Sequence, residues 1–474
     1  MTPLWTSDDV VKATGGKTAG TWSASGVSID SRTVRKGDLF VAIKGPNFDG
    51  HEFVADALKN GAAAAIVQDA NKDSDSYQDR LVMVKDTFAA LQDLGKFSRT
   101  RSKAKIIAVT GSVGKTGTKE ALKLGLSILG STHASEGNLN NHWGVPLSLA
   151  RMPADTQFGV FELGMNHAGE IAPLSKLVRP QVAIITNVEA AHLEFFNSVA
   201  EIADEKASIM AGLEKGGTIV LPRDNPHFVR LSAAAKKYDC EHIVTFGTGG
   251  DAGARLVSWS LTPDGTQVAA EFGGRRMTYD MIVSGRHWAL NSVAALAGIE
   301  ALGVDIHMPA AALAKLAAPQ GRGARTKVKV DGGSLLLIDE SYNASPAAVR
   351  LLAETMAQMH QPVSGAGDRL ILVLGDMLEL GPAAEVLHAG LAQSLEAARI
   401  DLVFTAGALM KNLHDSLPRK MRGGHAADSE ALAPIVTRAL RAGDVVAVKG
   451  SHGSRTGVVV RAIAAMNATS GQQG

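Results

Sequence analysis

The stretch Ile106-Ile107-Ala108-Val109-Thr110-Gly111-Ser112-Val113-Gly114-Lys115-Thr116 decides the fold of the region around it. An apolar run typical of a buried parallel strand leads into two glycines, and a predicted helix begins at Lys115. The glycines let backbone N–H groups approach an anion, the lysine can reach the outer phosphates of a nucleotide, and the Thr116 hydroxyl can hold Mg²⁺. The sequence therefore predicts a phosphate-binding loop for a nucleoside triphosphate, built from Gly111, Ser112, Gly114, Lys115 and Thr116.

This loop departs from the general phosphate-loop pattern in one position. The pattern has a glycine five residues before Gly114, where this chain has Val109, still inside the predicted strand. The predicted loop is therefore shorter than most. An ordinary strand, turn and helix with a chance Gly-Lys-Thr is the alternative, and a second Gly-Lys-Thr at 16–18 is interpreted as a turn because no apolar strand precedes it.

Length and composition limit the class of protein. The 474 residues are too many for one hydrophobic core, and three domains are predicted at 1–100, 101–321 and 322–474. The 48 basic and 47 acidic residues nearly cancel, so no basic field indicates a nucleic-acid partner. No apolar run is long enough to span a bilayer and no secretory signal is recognisable, so no membrane insertion and a cytoplasmic location are expected.

The first hundred residues contain one candidate ligand-binding region. The run Asp38–Lys44 is predicted as a strand that ends in Gly45-Pro46. Polar clusters flank it and supply groups suited to a pyrophosphate or a base edge, namely Ser31, Arg32, Lys44, Asp49 and His51. Ordinary turn formers and surface charges explain these clusters nearly as well. The basic, polar run Ser98–Lys103 is predicted as a linker.

Two features of the middle third favour a substrate and metal site. The run Glu136–Pro146, which contains Asn138, is too polar for a core and predicts a substrate-facing loop, with plain surface as the alternative. Glu162 lies inside the apolar run 158–164, and a buried carboxylate must be paired, protonated or bound to a metal. It is a candidate Mg²⁺ ligand; a structural ion pair is the alternative.

Further along, Asn187 and His192 follow the predicted strand Val182–Thr186, at the sheet edge where open α/β folds bind ligands, although a lone histidine is more often structural. Lys206 falls on the apolar face of a predicted helix. Buried lysines lose their proton easily and occur where a neutral amine takes part in chemistry. The alternative is a side chain that extends from the margin of this face to solvent.

The last third repeats short apolar runs separated by helical patterns, which predicts a parallel, Rossmann-like sheet. No Gly-x-Gly-x-x-Gly follows its first strand, so dinucleotide binding is not implied. Two of the runs end in polar segments, 339–346 and 449–455, which suit ligand contact, or serve as a helix cap and exposed charges. The predicted fold class is α/β with three domains, a central P-loop ATPase-like parallel sheet and a C-terminal Rossmann-like sheet.

Together these stretches resemble the Mur ligase family, in order and approximate spacing and nearly from end to end. The matching segments are 30–32, 48–51, 110–116, 162–164, Thr186-Asn187, His192, Lys206, Asn291, Arg322, 339–346 and 449–451. The segment 375–381, Gly-Asp-Met-Leu-Glu-Leu-Gly, resembles the members that add D-alanyl-D-alanine. Members that add diaminopimelate instead carry Asp-Asn-Pro-Arg in the C-terminal domain; here Asp224-Asn225-Pro226 lies in the central domain and is followed by His227.

The resemblance implies an ATP-driven amide ligation in peptidoglycan synthesis. D-alanyl-D-alanine would be joined to UDP-N-acetylmuramoyl-tripeptide through an acyl phosphate, with ATP and Mg²⁺ as cofactors and a monomer as the expected state. By this resemblance Lys115, Lys206 and His192 are catalytic, Lys206 is carbamylated by CO₂, and the metal ligands are Thr116, Glu162, His192 and Lys206. Contacts to ATP are implied for Asn291, Arg322, Asp339 and Tyr342. Contacts to the other substrates are implied for Ser31, Arg32, Lys44, Asp49, His51, Asn138, Asn187, Lys449 and Ser451.

One departure weakens the carry-over, because family members often have Glu two residues after this lysine and Ser208 stands here. Two rival functions remain open. A sister ligase, such as the diaminopimelate-adding enzyme or a folylpolyglutamate synthetase, would keep the ATP site and differ in the outer domains. A nucleotide-gated binding protein would keep the phosphate loop and need neither Glu162 nor Lys206.

Overall fold

A computed structural model describes residues 2–45, 48–69, 72–190, 193–262, 265–359 and 369–469. Three main β-sheets follow one another along the chain, and a small two-stranded sheet precedes them. Helices cover both faces of each main sheet, which buries their apolar strands on two sides. The described ranges contain no helix both long and apolar enough to cross a lipid bilayer.

The N-terminal sheet has four parallel strands in the order β3-β4-β5-β6. Strands β1 and β2 pair antiparallel beside it. The strands of this region are β1 (Trp5–Thr6), β2 (Ser23–Ala24), β3 (Gly26–Ser28), β4 (Asp38–Val41), β5 (Ala64–Val67) and β6 (Leu81–Met83). The helices are α1 (Ser7–Thr14), α2 (Val54–Lys59) and α3 (Thr87–Arg101).

The central sheet has nine strands in its described part, in the order β15-β14-β13-β12-β11-β10-β7-β9-β8. Its strands are β7 (Lys105–Thr110), β8 (Thr132–Ala134), β9 (Phe158–Glu162), β10 (Val182–Ile185), β11 (Thr218–Pro222), β12 (His242–Gly247), β13 (Ala254–Thr262), β14 (Gly265–Phe272) and β15 (Arg275–Met281). Its helices are α4 (Lys115–Ser127), α5 (Gly144–Ala150), α6 (Ile171–Val178), α7 (Val199–Ala207), α8 (Phe228–Lys237), α9 (Arg286–Ala301) and α10 (His307–Ala312).

Strand β7 lies in the middle of the parallel part of this sheet and is buried on both faces. Ile107 and Val109 pack in one hydrophobic cluster with residues of α4 and α9, and Ile106 and Ala108 pack in the cluster on the other face. Both neighbours, β9 and β10, run parallel to it. The phosphate loop therefore leaves the sheet from a strand buried on both faces, between the ends of β9 and β10.

The C-terminal sheet has six strands in its described part, in the order β16-β17-β21-β18-β19-β20, and all neighbours except β16 and β17 are parallel. Its strands are β16 (Ala324–Val330), β17 (Gly333–Glu340), β18 (Leu370–Gly375), β19 (Leu402–Ala406), β20 (Arg422–Ala426) and β21 (Val445–Lys449). Its helices are α11 (Pro346–Met359), α12 (Ala384–Ala389), α13 (Leu391–Ala397), α14 (Met410–Ser416), α15 (Ser429–Ala439) and α16 (Gly457–Thr469).

The predicted α/β class, with a parallel central sheet and a second parallel sheet after it, is confirmed. The antiparallel meander β13-β14-β15 at the edge of the central sheet was not predicted. The linker predicted at Ser98–Lys103 is wrong, because α3 continues to Arg101 and Arg99 is buried. The domain boundaries at 100 and 321 stay predictions.

Arg99 explains why a basic, polar run is helix here. Its guanidinium donates to the carbonyls of Val178 (Nε, 2.7 Å) and Arg179 (2.8 Å) at the end of α6. The cation thereby bonds carbonyl groups that a helix end leaves without an intrahelical partner. The Arg99 side chain therefore joins α3 to α6, one of the helices that pack on the central sheet.

We expect Arg99→Ala to lower the free energy of unfolding by about 2–4 kcal/mol, because it removes two buried charge-assisted hydrogen bonds and leaves carbonyls unpaired. Urea denaturation followed by tryptophan fluorescence measures this change. Lys96→Ala, at an exposed position of the same helix, is the matched control and should be near neutral. Equal urea midpoints for the two variants would contradict the role given to Arg99.

Candidate active site

The phosphate loop connects β7 to α4 through two glycines with positive φ. Gly111 has φ of 153° and Gly114 has φ of 90°. A Cβ atom on Gly114 would lie 2.8 Å from the Asn291 side-chain oxygen, so the close approach of α9 also requires glycine there. Lys115 Nζ donates to the Gly111 carbonyl at 2.6 Å, which holds the ammonium over the loop.

Glu162 is the last residue of β9 and pairs in register with Val109 of β7. Its side chain is buried, and each carboxylate oxygen has a donor: the Thr116 hydroxyl at 2.9 Å and the Asn140 amide at 2.8 Å. Both of these partners are neutral, so the carboxylate is held by hydrogen bonds and not by the structural ion pair considered as the alternative. A hydroxyl from the loop helix and a carboxylate from the next strand thus meet at the sheet edge.

These two oxygen ligands fit Mg²⁺ bound together with a nucleotide. Among the described residues, no group of three or more His, Cys, Asp or Glu side chains could hold a metal ion alone. Mg²⁺ in nucleotide sites is commonly bound by one or two protein oxygens, with phosphates and water completing its shell. Thr116 and Glu162 match that donor set.

The partly buried Lys115 and the buried Lys206 interact electrostatically beside the Thr116–Glu162 pair. Burial lowers the pKa of Lys115, Glu162 opposes the shift, and the charge of Arg322 adds to it. Burial also holds the pKa of Lys206 well below its usual range, the charge of Lys115 lowers it further, and Glu205 opposes the shift. Lys206 can therefore lose its proton easily in the folded protein and exist as the neutral amine.

Lys206 is only 2% exposed, so the alternative in which it extends to solvent is wrong. Its Nζ contacts the Met165 sulfur at 3.9 Å, and Met165 lines the cleft described below. The neighbouring Glu205 carboxylate accepts from the Gly169 and Ile171 amides at 2.7 and 2.8 Å, at the start of α6. Glu205 is thus occupied by the backbone, and the Lys206 amine faces the cleft wall.

A cleft of about 480 Å³ lies where the phosphate loop of the central sheet faces the C-terminal sheet. It brings together nine of the residues predicted from the sequence. These are Ser112, Gly114, Lys115, Asn138, Glu162, Asn291, Arg322, Tyr342 and Lys449. Residues of the central and C-terminal sheets therefore share one site, although they are far apart in the sequence.

The C-terminal wall of the cleft combines an aromatic ring with a buried ion pair. The Arg322 guanidinium lies over the Tyr342 ring at 4.0 Å from its centre. Lys449, at the end of β21, bonds the Glu340 carboxylate at 3.1 Å. Flat stacking groups of this kind suit a nucleotide base, and the fixed charges suit its polar parts.

Six predicted residues of the central and C-terminal regions do not themselves line the cleft. Gly111, Thr116, Asn187, Lys206, Asp339 and Ser451 are not among the lining residues. The Asp339 carboxylate accepts from the Gly321 amide (3.2 Å) and the Ser341 hydroxyl (2.6 Å), so it shapes the turn before β16. The Asn187 amide group donates to Glu189 at 3.2 Å, and the Asn187 backbone carbonyl accepts from the Ser112 amide at 2.9 Å.

The segment 376–381 reaches the cleft through Leu378, Glu379 and Leu380. The Ser451 hydroxyl accepts from the Leu378 amide at 2.9 Å. The fully buried His388 accepts from the Met377 amide through Nε2 at 3.0 Å and donates from Nδ1 to the Ala384 carbonyl at 2.6 Å. The acceptor role of Nε2 requires the neutral imidazole with its proton on Nδ1, and in that form His388 ties Met377 to Ala384.

The N-terminal residues for which the resemblance implies contact with the UDP group of the substrate lie outside the cleft lining. Asp49 contacts Lys44 at 3.7 Å and His51 at 2.6 Å, and the Arg32 guanidinium bonds Asp30 at 2.6 Å. None of Ser31, Arg32, Lys44, Asp49 and His51 lines the cleft. Their contact with a uridine nucleotide stays a prediction. His192, predicted as catalytic and metal-binding, lies outside the described residues.

Four residues of the site were not singled out individually, although Asn140 and Glu340 lie within segments that the sequence predicts to contact ligands. Asn140 bonds Glu162, and His287, Trp288 and Glu340 line the cleft. Asn140 belongs to the asparagine-rich loop, and Trp288 belongs to the same helix as Asn291, so proximity in sequence was the available signal. Nothing in the sequence indicates that Glu340 pairs with Lys449, since 109 positions separate them.

Three main sheets covered by helices, with a short phosphate loop facing the C-terminal sheet, are typical of ATP-dependent ligases. The chain belongs to the Mur ligase family. The description "Mur ligase middle domain" matches residues 109–299, "Mur ligase, glutamate ligase domain" matches 324–452, and "Mur ligase family, catalytic domain" matches 23–99.

Similar proteins agree with this membership over nearly the whole chain. The UDP-N-acetylmuramoyl-tripeptide–D-alanyl-D-alanine ligase of Rickettsia prowazekii is 34% identical and covers 96% of this chain and 99% of its own. A crystal structure of MurF from Acinetobacter baumannii has a TM-score of 0.83 at 29% identity, covering 97% and 98%. MurF ligase from Thermotoga maritima in complex with ADP has a TM-score of 0.78 at 28% identity, covering 94% and 98%.

The environment of His388 predicts a pH dependence of stability. Burial lowers its pKa in the folded protein, while the Ala384 carbonyl and Asp376 oppose the shift. The unfolded chain then binds a proton more readily, so this contribution to stability is complete above about pH 6.5 and is lost as the pH falls below that value. Protonation would also place a hydrogen against the Met377 amide.

We expect the urea midpoint of the wild type to fall more between pH 7.5 and pH 5.5 than that of His388→Gln, whose neutral amide can accept from the same Met377 N–H. Other histidines are present in both proteins, so the difference between the two slopes isolates His388. Parallel pH profiles would contradict the neutral-imidazole assignment.

Proposed function

We propose that this chain joins D-alanyl-D-alanine to UDP-N-acetylmuramoyl-tripeptide at the expense of ATP, in peptidoglycan synthesis. The observation that carries the proposal is the cleft, in which a phosphate loop with Lys115 and Thr116 faces polar side chains of a second α/β sheet. A ligase needs this arrangement, because ATP and two further substrates must meet in one site. The choice of these substrates is supported by similarity, over nearly the full length of the chain, to ligases named for this reaction.

The reaction has two steps. The terminal carboxylate of the tripeptide attacks the γ-phosphorus of ATP, which gives an acyl phosphate and ADP. The amine of D-alanyl-D-alanine, once deprotonated, then attacks the acyl carbon, and phosphate leaves from the tetrahedral intermediate. Activation is required because a free carboxylate does not react with an amine at a useful rate in water.

The phosphate loop supplies positive charge where the first step needs it. The amides at the start of α4 and the Lys115 ammonium surround the transferring phosphoryl group, where negative charge is concentrated. The Lys115 bond to Gly111 fixes the ammonium near that position. Thr116 and Glu162 would hold Mg²⁺, which when bound shields the phosphate charges from the attacking carboxylate.

Lys206 is proposed to act after carbamylation. Its neutral amine would attack CO₂ and release a proton, which converts the side chain into an anion able to support a second metal ion. Burial favours the neutral amine, and the nearby positive charge of Lys115 would stabilise the resulting carbamate. A part for His192 beside it stays a prediction.

The cleft and the N-terminal region divide the remaining contacts. We propose that Arg322 and Tyr342 stack on or near the adenine and that Asn291 approaches it from α9, since all three line the cleft. Asn138 would contact the tripeptide, and Lys449 would contact a substrate from the C-terminal side of the cleft. The monomeric state, the cytoplasmic location and the uridine contacts of Ser31, Arg32, Lys44, Asp49 and His51 stay predictions.

The function is tested by phosphate release from ATP with UDP-N-acetylmuramoyl-tripeptide, with and without D-alanyl-D-alanine. We expect release that requires both substrates, together with an amide product detected by mass spectrometry. Release only with a free amino acid in place of the dipeptide would move the protein to a sister ligase. Absence of turnover with every acceptor would favour a nucleotide-gated binding protein.

Carbamylation predicts a specific rescue. Lys206→Ala should lose most ligase activity, because the anion is missing while the cavity remains, and a short-chain carboxylate such as acetate or propionate should restore part of it. Ligase rates with increasing carboxylate measure the effect. Lys176→Ala, which removes a lysine from the same region outside the cleft lining, should respond to carboxylate no more than the wild type does.

Full activity of Lys206→Ala would exclude a catalytic role for this side chain. Activity that is low and insensitive to every carboxylate, in a variant with unchanged thermal stability, would show that the lysine itself and not its carbamate is required.

A further inference from the structure

Another buried lysine lies on the phosphate-loop helix. Lys119 is one turn beyond Lys115 on α4 and has no exposed surface. Its ammonium contacts three acceptors: the Ser135 carbonyl at 2.8 Å, the Gly137 carbonyl at 3.5 Å and the Glu120 carboxylate at 2.9 Å. One short and one long hydrogen bond to carbonyls, together with the ion pair to Glu120, offset the cost of burying the charge.

The two carbonyls belong to the start of the asparagine-rich loop. Ser135 is the residue after β8, and its amide also donates to the Val160 carbonyl of β9 at 3.0 Å. The loop returns to β9 at Asn140, whose carbonyl accepts from the Gly164 amide at 2.7 Å. Lys119 therefore fixes one end of a short loop whose other end is fixed beside Glu162.

Asn140 transmits this restraint to the candidate metal site. Its side-chain amide donates to one Glu162 oxygen at 2.8 Å, and the Thr116 hydroxyl donates to the other at 2.9 Å. A Cβ atom on Gly164 would lie 2.8 Å from the Asn140 side chain, so the glycine gives this amide the space it occupies. A shift of the loop would rotate the Glu162 carboxylate away from Thr116.

We infer that Lys119 is a positioning residue that fixes the 135–140 loop, and through Asn140 the Glu162 carboxylate, in the orientation that binds Mg²⁺ together with the nucleotide. The inference rests on the proposed function for its turnover assays. It deepens that function by assigning a role to a lysine that touches neither the phosphate loop's anion site nor the cleft lining. An apolar side chain of the same length would leave both carbonyls without this donor.

The test uses Lys119→Met, Asn140→Ala and the double variant in the full-length protein. Mg²⁺-dependent ADP binding is measured by calorimetry, and ligase rates are measured over a range of Mg²⁺ concentrations. Each single variant should weaken Mg²⁺-dependent ADP binding and raise the half-saturating Mg²⁺ concentration by about 10-fold, as for other residues that orient metal ligands. The double variant should be no worse than the poorer single variant, because both changes break one chain of contacts.

Lys105→Met is the matched control. Lys105 also donates from Nζ to a backbone carbonyl, that of Leu302 at 2.8 Å, in the same domain but outside the cleft lining. Its loss should leave the Mg²⁺ dependence of ADP binding unchanged. If Lys119→Met is insoluble, Lys119→Gln, which keeps a shorter donor, takes its place and should show an intermediate shift.

Unchanged Mg²⁺ dependence in the Lys119 variants, with only lower thermal stability, would overturn the inference and leave a structural role. Additive effects in the double variant would show that Lys119 does not act through Asn140. A wild type that binds Mg²⁺ and ADP but ligates nothing would contradict the proposed function and leave the calorimetric test of Lys119 intact.

Discussion

The hydrogen bond between the Thr116 hydroxyl and the Glu162 carboxylate is the contact on which the site depends. It joins the helix that follows β7 to the end of β9, and the in-register pairing of Val109 with Glu162 makes it geometrically possible. A buried carboxylate is costly unless its oxygens are bonded, so Asn140 must occupy the second oxygen. The asparagine-rich loop, the phosphate loop and the strand edge are thereby placed as one unit.

Three lysines around this contact, the partly buried Lys115 and the buried Lys119 and Lys206, differ in what surrounds them. Lys115 bonds one loop carbonyl, so most of its donors remain for an anion. Lys119 has three acceptors and is fixed. Lys206 contacts a sulfur atom, and burial and Lys115 lower its pKa. The three ammonium groups therefore differ in how many acceptors surround them, and this difference supports the different role proposed for each lysine.

The cleft is made by two sheets, and the contacts between them use the carboxyl ends of parallel strands. Lys449 and Glu340 are the last residues of adjacent strands of the C-terminal sheet, and Arg322 stacks on Tyr342 just before and after the first two strands of that sheet. The Glu194 amide donates to the Glu379 carbonyl at 3.2 Å, so the central and C-terminal parts also touch at the rim. His388 and Ser451 hold the segment that makes this contact.

The sequence by itself determined the α/β class, the short glycine loop between β7 and α4, and the family, and it favoured the burial of Glu162 and Lys206. Each depends on local order: an apolar run, glycines at fixed positions, or a charge at apolar spacing. Tertiary structure alone decided that Arg99 is buried in a helix, that the β13–β15 meander closes the sheet edge, and that Asn140 and Lys119 support Glu162. These depend on partners distant in sequence, because hydrogen bonds to carbonyls on other elements leave no periodic trace in the chain.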